Sequence, residues 1–150
     1  MRSPLPLALL LLTAAGCGAP LSPSAASTFD HATQLVVMRI APEGDAPPGP
    51  DVFEGHRVLA RAEVRDPALR REIREIVDAG LAKGGTQAKC FNPRHAIHAT
   101  NPGHVVDVLV CFECSSAEID EDGQADLRPF GDVAARLDQA FATAGVRAPR

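Results

Sequence analysis

Residues 56–64 alternate: Val58, Ala60, Ala62 and Val64 fall on one side, Arg57, Arg61 and Glu63 on the other. That two-residue period predicts a half-buried strand. The period changes after Asp66-Pro67, an aspartate cap followed by a proline suited to a first helical turn. Leu69, Ile73, Ile76, Val77 and Leu81 then recur at helical spacing, with Arg70, Arg71, Arg74, Glu75 and Asp78 opposite, until Gly84-Gly85 stops the helix. Residues 35–40 are rich in β-branched side chains and predict another strand. Four prolines between them make residues 41–55 a loop.

Two further strands are predicted over 89–100 and 104–115, joined at Asn101-Pro102-Gly103, with a short extended piece through Ala117 and Ile119. A final helix begins near Asp132, with Val133, Leu137, Ala140, Phe141 and Ala144 as its apolar stripe and Gly145 at its end. The resulting order, β-β-α-β-β-(β)-α, predicts an α+β fold: a small antiparallel sheet with two helices packed on one face. No internal repeat accompanies it.

The N-terminus follows a different pattern. Arg2 precedes a run from Leu5 to Leu12 interrupted only by Pro6, and Ala14, Ala15 and Gly16 then lead into Cys17. A bilayer span needs about 20 apolar residues, so this run is too short and reads as a signal peptide. It resembles a bacterial lipoprotein signal, in which a small residue precedes the acylated cysteine. Ala14 stands where that family usually carries leucine. The resemblance implies removal of residues 1–16, diacylglyceryl and fatty-acyl (palmitate) attachment at Cys17, and a membrane anchor in the cell envelope. Gly18 in place of aspartate points toward an outer membrane where the cell has one. Residues 17–33, rich in Ala, Ser and Pro, are then the lipidated cysteine and a flexible tether, and 34–150 a single domain.

Composition narrows the partners. Without Arg2, the mature chain has 14 basic and 19 acidic side chains, a net charge of −5. Nucleic-acid binding needs a basic patch, and none is present in the sequence. Tryptophan and tyrosine are absent and phenylalanine occurs six times, which disfavours sugar- and proline-rich-peptide-binding modules and leaves the core to Val, Leu, Ile and Ala.

The chemistry concentrates in one hairpin. Cys90-Phe91-Asn92-Pro93-Arg94-His95 is followed by Cys111-Phe112-Glu113-Cys114. This pairing resembles a group of uncharacterised exported bacterial proteins, over roughly residues 56–146. Ala96 replaces a glycine common in that group, and His98 stands where arginine is usual. The resemblance implies a domain boundary and carries no activity.

Three readings compete for these residues. The first is a disulfide in an oxidising compartment. If the hairpin centres on Pro102, Cys90 lies opposite Cys114, the preferred pair, and Cys111 points to the other face; Cys90–Cys111 is the weaker alternative. If Pro102 and Gly103 are both central turn residues, Cys90 faces Ser115 and neither bridge forms without a bulge. The second reading is zinc held by Cys90, His95, Cys111 and Cys114, a tetrahedral sulfur and nitrogen set. The third is thiol-redox or nucleophilic chemistry, with His95 beside Cys111. Arg94, His95 and His98 also form a candidate anionic site, against the plainer expectation that Arg94 pairs with Asp107 or Glu113. The acidic run 118–123 resembles a calcium loop only superficially, because Pro129 stands at the twelfth position. Together these point to a membrane-anchored envelope protein, a binding domain more than an enzyme, with no cofactor unless zinc.

Overall fold

The computed structural model describes residues 19–147. Within them lie α1 (Pro23–Asp30), β1 (Gln34–Ile40), β2 (Val52–Phe53), β3 (His56–Glu63), α2 (Pro67–Lys83), β4 (His95–Asn101), β5 (His104–Cys111), β6 (Ser116–Glu121), β7 (Gln124–Pro129) and α3 (Ala134–Thr143). The fold is α+β, as the periodicity predicts. The sheet is larger than expected: seven antiparallel strands in the order β2-β3-β1-β4-β5-β6-β7.

Three helices, not two, cover one face. Their apolar sides meet Leu35, Val37, Ile97, Val108 and Val110 in the main core. The other face carries a smaller cluster of Met38, Ile40, Ala96 and Leu109, with no helical residue in it. Gly80 of α2 sits where a β-carbon would come within 2.2 Å of the Phe130 ring, so the helix approaches that ring only as glycine.

The additional helix occupies what the composition suggests is tether. Ser22 caps α1 by accepting from Ala25 N–H at 3.0 Å, and Pro23 opens it. Ala25 and Phe29, one helical turn apart, are fully buried. An eight-residue helix is marginal by itself, and docking against the sheet and α2 supplies its stability. Leu21 N–H donates to Asp78 at 2.9 Å, and the Arg128 guanidinium donates to the Ala19 carbonyl. The chain is therefore packed from Leu21 onward, with a surface hydrogen bond reaching back to Ala19. Cys17 and residues 1–16 lie outside the described residues.

Four strand expectations need correction, the first being the second hairpin strand, which ends at Cys111 and not at Ser115. Residues 89–94 are not in a strand; β4 starts at His95. Val58 does not share a face with Ala60: a bulge opposite Arg39 and Ile40 pairs Ala60 with Arg39 but Val58 with Ile40, turning Val58 to the uncovered face. β7 escapes the pattern because its side chains are almost all exposed, as suits an edge strand ending in proline.

The hairpin register is the second of the two considered. Asn101 pairs with His104 and His95 with Val110, so Pro102 and Gly103 are both central turn residues. Proline presets the first position, and Gly103 takes φ +90° at the second, the requirement of a type II turn. Cys111 consequently lies on the face opposite to His95.

Candidate functional sites

The covered face holds a buried polar cluster. Arg39 and His95 are direct cross-strand partners on β1 and β4, and Asp138 reaches them from α3. The Arg39 guanidinium donates to Asp138 Oδ1 at 2.5 Å and also meets His95 Nε2. His95 Nε2 lies 2.7 Å from the same Asp138 oxygen. The rings of Phe112 and Phe141 stand edge-on to His95 at 5.3 and 5.4 Å, and Arg39 lies over Phe141.

Burial pushes the His95 imidazole below its usual range, and the Arg39 charge acts the same way; the Asp138 carboxylate opposes them and loses. The ring is neutral, so the ion pair in the cluster is Arg39 with Asp138. Burial alone would raise the Asp138 carboxyl, but hydrogen bonds from His95 and Arg39 outweigh it and hold the group low. His95 Nδ1 is buried and has no partner among the described residues. The cluster ties α3 to the sheet. Cys111, the thiol expected beside His95, lies on the other face of the sheet.

The uncovered face holds a second histidine. His98 and Asp107 are direct partners on β4 and β5, with Nδ1 and Oδ1 2.6 Å apart. That hydrogen bond raises the His98 imidazole, outweighing desolvation, with the charges of Asp107 and Glu54 adding to it. Phe53 of β2 stands edge-on to His98 at 5.7 Å. Glu54, in the tight turn after β2, is itself raised, by burial first and then by Asp107, Asp120 and Glu118. Beside this pair is a cavity of about 310 Å³ lined by Gln34, Val36, Met38, Phe53, Arg61 and His98. Its lining mixes the apolar Val36, Met38 and Phe53 with the polar Gln34, Arg61 and His98.

The cysteines form a third cluster at the end of β5. The disulfide joins Cys111 to Cys114, with Cα atoms 5.3 Å apart. The preferred Cys90–Cys114 bridge is therefore not the one formed, although the two sulfurs are 2.7 Å apart. Residues 112–115 turn sharply, with Ser115 N–H donating to the Phe112 carbonyl, and this turn takes Cys114 out of the strand alternation that separates residues three apart. Cys90 is free and exposed.

The candidate zinc set is not assembled: His95 belongs to the covered face, and no group of three His, Cys, Asp or Glu side chains placed to hold a metal occurs among the described residues. The anionic trio is dispersed too. Arg94 pairs with Glu113 at 3.4 Å on the surface, while His95 and His98 occupy opposite faces. In the acidic run, Asp120 accepts from Gly123 N–H at 2.6 Å and closes the β6–β7 turn.

Arg39, Asp138, Asp107, Glu54 and Phe53 were absent from the sequence-based site. Arg39 did leave a signal, a charge within the apolar run 35–40. Asp138 beside the apolar stripe of the last helix left a fainter one.

These features define an α+β domain with one sheet face covered by helices and the other bearing a small core cluster that no helix enters. No family model, curated protein or solved structure matches the chain. No helix among the described residues is long and apolar enough to cross a membrane.

Proposed function

We propose that the chain is a lipid-anchored protein of the bacterial envelope whose domain binds a small amphipathic ligand on the sheet face that no helix covers. The observation carrying the binding reading is the cavity of about 310 Å³ beside His98, lined by the apolar Val36, Met38 and Phe53 and the polar Gln34, Arg61 and His98. Concave apolar sites with a few convergent polar groups are the usual form of ligand pockets. The anchoring reading rests on the apolar run, the small residues and Cys17. Two or more acyl chains hold a protein on a membrane where one does not. Only four residue steps separate Cys17 from the docked Leu21, about 14 Å of extended chain, so an anchor there would hold the domain close to the bilayer.

Two measurements test this. Cys17→Ser should move the protein from the membrane to the soluble fraction with its thermal unfolding unchanged; retention on the membrane overturns the anchor. Anilinonaphthalene sulfonate, an amphipathic anion, should bind the native domain saturably at one site, and Val36→Glu should weaken that binding at least tenfold. Binding that is absent, or indifferent to Val36→Glu, overturns the pocket.

A further inference from the structure

We propose that the three domain cysteines form a thiol–disulfide exchange site in which Cys114 is the shared sulfur, passing between Cys111 and Cys90. The free Cys90 Sγ lies 2.7 Å from Cys114 Sγ, which is already bonded to Cys111. Exchange proceeds by attack of a thiolate on one sulfur of a disulfide, and proximity makes that attack intramolecular.

The backbone builds this approach. Ala88 N–H donates to the Cys114 carbonyl at 3.0 Å, and Arg94 N–H donates to the Val110 carbonyl at 3.1 Å. These bonds bracket Cys90 on both sides and clamp its segment to the turn that carries Cys114. The departing group is also provided for. Cys114 N–H lies 3.2 Å from Cys111 Sγ, where it donates to whatever charge that sulfur carries. A hydrogen bond to an ionised acceptor is stronger than one to a neutral acceptor, so this contact tightens as Cys111 leaves.

The step is balanced without an outside oxidant. The Cys90 thiolate bonds to Cys114 Sγ, the Cys111–Cys114 bond breaks, and its electron pair departs on Cys111. The proton lost by Cys90 is returned, through solvent, to Cys111. One disulfide and one thiol stand on each side.

The two states differ in what they present. Cys90 is exposed, whereas Cys111 is 1 % accessible. Exchange thus withdraws the reactive thiol from solvent. It also replaces a bridge between residues three apart with one between residues 24 apart, stapling the segment before β4 to the sheet. The site reacts with external thiols and disulfides in one state and is closed to them in the other.

The sequence makes the test direct. Trypsin cuts after Lys89, Arg94 and Arg136, Arg128 being protected by Pro129, so Cys90 falls on a five-residue peptide and Cys111 with Cys114 on another. Cleavage after Glu113 then separates those two. The full chain carrying Cys17→Ser is held at pH 8 or pH 6, acid-quenched, alkylated with N-ethylmaleimide and mapped without reduction. At pH 8 both linkages should be present and should interconvert after a pH jump, more slowly toward acid because the attacking species is the thiolate. Cys111→Ser should give Cys90–Cys114 in high yield. A single linkage at every pH, with Cys90 fully alkylated throughout, overturns the proposal. If Cys111→Ser does not fold, the mapping of the chain with all three cysteines decides alone.

Discussion

His95 and His98 are three residues apart on one strand, and the two faces of the sheet treat them oppositely. His95 points under α3, is 5 % accessible and is held neutral by burial and by Arg39. His98 points to the other face, is 27 % accessible at its side chain, and has its affinity for a proton raised by the hydrogen bond to Asp107. Each has a carboxylate within 2.7 Å. The contrast shows that a carboxylate partner alone does not set a histidine's charge. Desolvation wins on the covered face, where Arg39 already claims the Asp138 charge. The hydrogen bond wins on the other face, where no arginine or lysine among the described residues is paired with Asp107.

The largest expected effect separates the faces by removing each carboxylate. Asp138→Ala leaves Arg39, 7 % accessible, without its anion. Arginine cannot shed its proton, so the loss should be about 3 kcal/mol, the lower end for a broken buried pair because Asp138 is half exposed. Asp107→Ala should cost only about 1 kcal/mol, because His98 can simply deprotonate. Urea unfolding of both variants at pH 7 checks this. Equal losses would mean that the covered face is wetter than described.

The pH dependence comes next. Because native His95 titrates below the usual value of about 6.5, the unfolded chain takes up that proton first as pH falls, and stability drops below pH 6.5. Native His98 titrates above that value. Its contribution is full below pH 6.5 and is lost as pH rises through the raised value. His98→Gln should therefore remove the decline on the alkaline side and leave the acid-side decline in place. Either slope is at most about 1.4 kcal/mol per pH unit for a single group. An alkaline decline that persists in His98→Gln would assign it elsewhere.

The smallest effect is expected at the surface. Arg94→Ala removes a half-exposed pair with Glu113 and should change the unfolding free energy by less than about 0.5 kcal/mol. A larger loss would indicate that Arg94 supports the cysteine segment through its aliphatic stem.

The parts of the fold legible in the sequence are those written locally. The Asp66-Pro67 start, the stripe from Leu69 to Leu81 and the stop at Gly84 match α2 almost residue for residue. The 35–40 run, the 56–64 alternation and the terminal helix are similarly placed. The same kind of start signal, Ser22-Pro23, stands before α1, yet its few apolar residues disappear into a Ser- and Ala-rich composition. The site was less legible. Cys90, Arg94, His95, Cys111 and Cys114 are informative residue types, but their meaning depends on register, and the register turned on one question: whether proline or the proline–glycine pair centres the turn.

By itself, the sequence determined the caps, the helical stripe, the β periods and the turn chemistry, because each depends on residues within a turn or two of one another. Only the tertiary structure decided that Arg39, His95 and Asp138 meet, that His98 stays partly accessible, and that three sulfurs converge. These partners lie up to 99 residues apart in the chain. Their charge and reactivity follow from which face of the sheet the helices cover, and no local pattern carries that information.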